Sequence, residues 1–442
     1  MKILKFGGTS LGTPERMHHV AQIIKRGGGK KIIVLSAVSG TTNSLVAIGD
    51  ALFNKEIGKA KKITDELYEK YLVYYPSLLS DPKLQNRAKK MIDGHFAFIR
   101  SLQNVFFNTR LNNELLAQGE LMSTQLFSLY LEEMGENSAL ISALDFMYIN
   151  EEKEPVQSYT TEHLQQILSE YPQVDVFVTQ GFICRNHEGE IDNLKRGGSD
   201  FSASLIGASI RAKEVQIWTD IDGMHNNDPR IVENTFPVAE LSFNEASELA
   251  YFGAKILHPS SIIPAQKHNI RVLLKNTLDP DAKGTTICDM KTAAGVRAIA
   301  AKDGITAIKI RSSRMLMAYG FLRKVFEVFE KHKTPIDMIT TSEVAVSVTI
   351  DDDTHLHEIV RELAAYGQIQ VDQGQTIICA VGKFTGSYAG VVDRIIGALK
   401  EIPIRMISYG GSDYNVSVLL ETSQKKKALE LLNHSLFLNP TF

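Results

Sequence analysis

From Lys2 to about residue 297 the chain alternates short apolar, β-branched runs with longer amphipathic stretches, and that alternation restricts the fold more than any single residue does. The runs at 31–35, 174–179, 214–218 and 270–274 carry little polar–apolar alternation, as strands buried on both faces require. Residues 113–133 and 201–212 have helical spacing instead. Buried strands alternating with helices predict an α/β sandwich, three layers around a mostly parallel central sheet. Residues 51–110 are charged, helix-rich and poor in strand signals, and read as a helical insertion.

From about residue 298 the units become shorter. Strands are expected at 305–311, 335–339 and 344–350, with helices at 320–329 and 356–365. The same βαββα order then recurs, with strands at 375–381, 403–407 and 414–420, helices at 389–399 and one beginning near Ser423. Thr-Pro-Ile-Asp-Met-Ile-Thr at 334–340 lines up with Ile-Pro-Ile-Arg-Met-Ile-Ser at 402–408. A repeat of about 70 residues, each copy a small α+β sandwich, predicts two further domains. The expected division is a catalytic domain at 1–297 and repeats at 298–372 and 373–442, between which strands can be exchanged.

Composition narrows the function. At 442 residues the chain exceeds one ordinary core. A formal charge of −3 offers no polybasic face, which disfavours nucleic acid or an anionic membrane as partner. Cys184, Cys288 and Cys379 lack metal-ligand spacing and read as reduced thiols. No apolar run reaches the roughly 20 residues of a bilayer span, and the opening residues do not read as a signal peptide. A cytoplasmic location is expected.

Four motifs carry chemistry. Lys5-Phe6-Gly7-Gly8-Thr9-Ser10 is a strand end running into a glycine turn, with a helix expected near Pro14. Glycine admits close backbone approach to phosphate, and a helix N-terminus favours anions. The lysine precedes the glycines, so this is neither a Walker nor a dinucleotide fingerprint. Asn193 to Asp200, with Lys195, Arg196, Gly197 and Gly198, opens a second helix. Here Arg196 suits a carboxylate, while Ser199 or Asp200 as a simple N-cap is the plainer alternative. Thr219-Asp220-Ile221-Asp222-Gly223, continuing through His225 and Asp228 to Arg230, follows a buried strand, where α/β sheets place ligands. Ordinary turn chemistry accounts for much of that composition. Gly253-Ala254-Lys255 offers a second cation, His258 before Pro259 reads as structural, and Glu120 reads by default as a first-turn helix acid.

Taken in order, KFGGTS, GELMST, TQGFI with LKRGGSD, WTDIDGM with DPR, and GAKILHP resemble the aspartate kinases of the amino-acid kinase superfamily. The likeness covers essentially the whole chain, because the repeat resembles that family's two ACT domains. The segment ITTSEVAVSVTI at 339–350 resembles the lysine-sensitive monofunctional branch.

The resemblance implies ATP-dependent phosphorylation of the L-aspartate side chain, with Mg²⁺ on the ATP phosphates and no confident protein ligand for the metal. It implies Lys5, Gly7, Gly8, Thr9 and Ser10 around the phosphates, with Lys5, Asp200 and Lys255 as the catalytic set. Ser36, Thr42, Glu120, Arg196, Ser199 and Asp200 would hold aspartate, Glu120 meeting the α-ammonium and Arg196 the α-carboxylate. Thr219, Asp220, His225, Arg230 and Lys255 would hold the nucleotide, although His225 stands where relatives carry tyrosine. Met315, Gly320, Phe321, Leu322, Ile336, Asp337, Ser342 and Glu343 match an effector pocket. Lysine is the favoured effector and threonine the alternative, because Ala318 and Pro335 replace hydroxyl residues of lysine-sensitive relatives. A homodimer or larger assembly through the ACT domains is implied. The competing readings are another amino-acid kinase of the superfamily, or a catalytically silent amino-acid sensor.

Overall fold

The computed structural model describes residues 1–194, 197–253, 257–290, 294–312, 319–384 and 390–438. The chain forms two compact units, one made of Met1–Met224 with Ile256–Met290 and the other of His225–Lys255 with Lys291–Phe442.

In the first unit the strands lie in the order Ser138–Leu140, Val176–Gln180, Lys31–Leu35, Lys2–Phe6, Val215–Thr219, Val272–Asn276 and Thr285–Cys288. All neighbours are parallel except the last pair, which is antiparallel. The mostly parallel sheet expected from the apolar runs is present. Every residue of Lys31–Leu35 and of Val176–Gln180 is buried, as strands covered on both faces demand. Helix Pro14–Arg26 starts where expected, with Thr13 accepting the Arg16 N–H and proline in the first turn. The charged stretch after residue 51 is indeed helical: Ile57–Leu78 and Pro82–Ser101 pack with Thr109–Glu133 into the same core as the first two strands. Among the described residues no helix is long and apolar enough to cross a membrane.

The second unit holds a six-stranded antiparallel sheet in the order Ile339–Thr341, Ala345–Ile350, Gly295–Arg311, Gln368–Lys383, Asn415–Glu421 and Met406–Tyr409. Ile308 pairs with Val348, and Ile378 pairs with Val418, so the two repeats superpose with Ile308 on Ile378. Each repeat has its own apolar cluster. Ile308, Ile310, Val325, Phe329, Val346 and Ile359 form one, and Ile378, Ala380, Ile395, Val418 and Leu429 belong to the other.

Two expectations are corrected here. The strands expected at 305–311 and 375–381 are the 17-residue Gly295–Arg311 and the 16-residue Gln368–Lys383. Gly304 (φ +75°) and Gly374 (φ +67°) sit in register shifts through which both strands continue. Ile299, in the part of the long strand before that bulge, packs into the second repeat's cluster. The strands expected at 335–339 and 403–407 begin later, at Ile339 and Met406, although the Asp337 and Arg405 N–H groups already donate to the Thr349 and Leu419 carbonyls.

Truncating Ile308 or Ile378 to alanine should each lower the unfolding free energy by about 2–5 kcal/mol, measured by urea denaturation. The losses should add in the double variant, since the side chains belong to separate clusters. A loss well below additivity would mean the repeats share one core.

Candidate active site

Parallel pairing sets Phe6 level with Leu35 and Trp218, and Leu35 level with Gln180, so four strands end together. The loops leaving those ends carry the residues singled out by sequence, at the edge where open α/β sheets bind ligands.

Lys5 is the penultimate residue of its strand, and its Nζ lies 2.7 Å from Asp200 Oδ1. Both side chains are largely buried, at 11% and 15% exposure, so the pair works at lower dielectric than a surface bridge. Asp200 lies in the first turn of helix Gly198–Ser209. The helix is capped by Gly197 at φ +84° with no side-chain cap, so neither Ser199 nor Asp200 is the N-cap that the plainer reading expected. An N-terminus without a side-chain cap keeps its first N–H groups for a ligand or water. Ser199 instead accepts a hydrogen bond at 2.9 Å from the Ser36 hydroxyl.

Close backbone approach draws these loops together. A Cβ on Gly8 would lie 2.9 Å from the Ala37 carbonyl oxygen, and one on Gly181 would lie 2.4 Å from Ser199 Cβ and Oγ. The residues of the first loop divide between bracing and exposed positions. The Gly7 N–H donates to the Trp218 carbonyl and the buried Ser10 hydroxyl pairs with Thr277 at 2.7 Å, so both brace the turn. Thr9 is exposed, while Gly7 and Gly8 are half-buried.

Glu120 sits in the middle of helix Thr109–Glu133, not in its first turn, which overturns the default helix-acid reading. It is buried, and its Oε1 accepts the Ala37 N–H at 3.1 Å, while Oε2 has no partner among the described residues. Burial pushes its pKa up to about 7, opposed by hydrogen bonds from Ala37 and its own backbone and by the nearby Lys5 charge. A buried carboxylate oxygen without a donor marks a place for a cationic group. Thr42 lies half-buried in the first turn of helix Thr41–Phe53, which has Gly40 (φ +80°) as its N-cap and again no side-chain cap.

Sequence reasoning missed the braces from the helical insertion. Tyr71 OH bonds Thr41 Oγ1 at 3.0 Å, Tyr74 OH donates to the Leu11 carbonyl at 2.7 Å, and Lys70 donates to the Ser39 carbonyl. One helix thus fixes the loops that follow both central strands. The aromatic run at 71, 74 and 75 was the available signal, and it is indistinguishable from ordinary core spacing.

The remaining residues expected at the nucleotide fall in both units. Thr219 ends its strand and Asp220 follows it, the Thr219 hydroxyl donating to Asp220 at 3.1 Å. His225 and Arg230 belong to the second unit. There His225 Nδ1 lies 3.0 Å from Thr235 Oγ1, and Arg230 is forked onto Asp228 at 2.7 and 2.9 Å. Arg196, Lys195, Lys255, Met315 and Ala318 lie outside the described residues. His258 caps the short turn Pro259–Ile262, accepting the Ser260 N–H, in keeping with a structural reading. No group of three or more His, Cys, Asp or Glu residues able to hold a metal is found among the described residues.

Of the expected effector residues, Gly320, Phe321 and Leu322 lie at the start of helix Phe321–Lys331, Ile336 and Asp337 precede strand Ile339–Thr341, and Ser342 and Glu343 follow it. Gly320 caps that helix at φ +78°, Phe321 is buried, and Leu322 is 37% exposed. Ile336 packs on the first repeat's cluster, and Ser342 and Glu343 are exposed. Asp337 is bound by Lys302 at 2.7 Å and by Tyr251 OH at 2.6 Å. Helix Phe243–Tyr251, which supplies Tyr251, also holds the second repeat: Glu248 accepts hydrogen bonds from Ser412 and Asn415, each at 2.7 Å.

Gly181→Ala should drive Ser199 and Asp200 away from the strand ends while leaving the sheet intact. Misplacement on that scale should lower turnover by about 100-fold, with an unchanged circular dichroism spectrum. Full activity in this variant would show that the close approach is not needed.

The amino acid kinase family profile matches residues 1–276, and an ACT domain profile matches residues 378–436. The chain is 31% identical to the lysine-sensitive aspartokinase 3 of Escherichia coli, over 98% of this chain and 99% of that one. It is also 31% identical to the chloroplastic aspartokinase 1 of Arabidopsis thaliana, over 98% of this chain and 80% of that one. Its structure resembles E. coli aspartokinase III in complex with aspartate and ADP, with a TM-score of 0.86, 31% identity and coverage of 99% and 100% of the two chains. The same enzyme with lysine and aspartate gives a TM-score of 0.82 at 31% identity, over 99% of each chain. The chain therefore belongs to the aspartokinases, a branch of the amino acid kinase family.

Proposed function

We propose that this chain transfers the γ-phosphoryl group of ATP to the side-chain carboxylate of L-aspartate, giving 4-phospho-L-aspartate. The observation that carries the reading is the Lys5–Asp200 pair beside the Gly7-Gly8 turn at the level ends of the parallel strands. The named relatives, similar over nearly the whole chain, point to the same substrate.

The chemistry asks for little besides charge and placement. A free aspartate side chain has a reference pKa of about 3.9, so the nucleophile is already ionised at neutral pH and needs no general base. The obstacle is driving one anion against another. Lys5 neutralises charge on the transferring group, and Asp200 acts as a positioning residue that holds the ammonium at the strand end. The helix N-termini after Gly40 and Gly197 add N–H groups and favourable dipoles. Glu120, whose Oε2 has no partner among the described residues, receives the α-ammonium, and Arg196 takes the α-carboxylate. Thr219 and Asp220, at the end of the neighbouring strand, face the nucleotide. Mg²⁺ arrives on the ATP phosphates, where it supplies further charge neutralisation. Transfer is direct and in line, with no phospho-enzyme.

The second unit regulates. Residues 298–372 and 373–442 act as paired ACT domains through which the chain self-associates, and lysine binds at the first, around Asp337.

Lys5→Ala should cut kcat by roughly 100- to 1000-fold while changing nucleotide affinity far less, read from steady-state kinetics and ADP titration. An unchanged kcat removes Lys5 from the reaction.

Glu120 supplies a pH test. Its raised pKa means that the free protein holds the ionised, ammonium-binding form only above about pH 7. The value of kcat/KM for aspartate should therefore fall tenfold per pH unit below about 7. Glu120→Gln should flatten that arm and raise KM; an acid limb that persists in the variant assigns the titration elsewhere.

A further inference from the structure

Lys302 occupies a cage built for an ammonium. Its Nζ lies 2.7 Å from Asp337 Oδ1 and 2.8 Å from Asp351 Oδ2, and it sits over the Tyr251 ring at 4.4 Å from the centroid. Two carboxylates and an aromatic face around one cation form a typical ammonium-recognition set. The side chain of Asp337 is 1% exposed, yet its Oδ2 has no hydrogen-bond partner among the described residues. Two carboxylates against one lysine leave the described cluster one positive charge short, and the vacancy falls on a buried oxygen.

The second repeat shows how unusual this is. Superposing Ile308 on Ile378 sets Lys302 on Asp372, and superposing Ile339 on Ile407 sets Asp337 on Arg405. Arg405 and Asp372 are also an ion pair, so the same bridge recurs with its sign reversed. The pair is thus a device of the repeat that ties the segment after the proline to the long strand. In the first copy alone it offers a carboxylate, with an oxygen to spare, to an incoming cation.

We propose that Lys302 is a resident ammonium that competes with the amino-acid effector for Asp337 and thereby sets the sensitivity of the regulatory site. This rests on the reading that lysine binds around Asp337. When the ligand's ammonium reaches Asp337, Lys302 is left to Asp351, which is 36% exposed and able to hold it at the surface. Neutralising Lys302 therefore sharpens the response, and removing Asp351, which confines Lys302 to Asp337, blunts it.

The test is calorimetric titration of the full-length protein with L-lysine, alongside inhibition of the aspartate- and ATP-dependent reaction. Lys302→Gln should bind lysine at least tenfold more tightly than wild type, and Asp351→Asn several-fold more weakly. Lys309→Gln, a neutralisation on the same strand, and Asp372→Asn, which breaks the reversed bridge, should both stay within twofold of wild type. Thermal melts identify any variant that does not fold. If Lys302→Gln fails to fold, the weakened binding of Asp351→Asn against both controls carries the decision, and unchanged binding there overturns the proposal. If wild type binds lysine, Asp337→Asn abolishes the binding and Lys302→Gln leaves the Kd unchanged, the competition is refuted while the pocket stands. If neither wild type nor Lys302→Gln binds lysine, the pocket reading falls and the proposal falls with it.

Discussion

The level ending of the parallel strands is the constraint on which the candidate site depends. Because Phe6, Leu35, Gln180 and Trp218 share a row of the sheet, the loops that leave them are forced into one neighbourhood. A one-residue slip in Lys2–Phe6 would turn Lys5 to the opposite face and cost the pair with Asp200. The apolar surfaces of the central strands, buried on both sides, prevent that slip. The same burial that stabilises the sheet therefore aims Lys5 at Asp200. Gly8 and Gly181 then allow neighbouring backbones to approach more closely than any side chain would permit.

Much of this was legible in the amino-acid order, and the reasons for the exceptions are physical. Fully apolar runs announce buried strands, and the repeated βαββα order announces two related domains, because both patterns are imposed by burial. The long strands through Gly304 and Gly374 were hidden, since a glycine bulge and a glycine turn are written in the same residues. Only pairing across the sheet distinguishes them. Glu120 was legible as a candidate through its motif, but its burial and raised pKa come from the Ala37 loop and the surrounding helices, which no local window contains. Tyr71, Tyr74 and Lys70 were invisible for a related reason. A brace that reaches across dozens of residues leaves no trace in spacing.

The two repeats carry the same bridge with its charges reversed. Arg405 and Asp372 satisfy one another, whereas Asp337 accepts Lys302 and Tyr251 and still has an oxygen without a partner among the described residues. Duplication preserved the geometry of the bridge while the charges diverged. That divergence separates a repeat that closes on itself from one that can answer a cationic ligand. Tyr251 ends the helix that also grips the second repeat through Glu248, so both copies are tied to one element.

In the proposed reaction the side-chain carboxylate of aspartate attacks the γ-phosphorus directly. The most direct measurement supplies MgATP, hydroxylamine and aspartate labelled with oxygen-18 in its side-chain carboxylate, then analyses the released phosphate by mass spectrometry. Direct attack places a labelled oxygen between carbon and phosphorus, and hydroxylamine, attacking the acyl carbon, releases phosphate that carries the label alongside aspartyl hydroxamate. Unlabelled phosphate, or phosphate formed without hydroxamate, would mean that water and not aspartate receives the phosphoryl group.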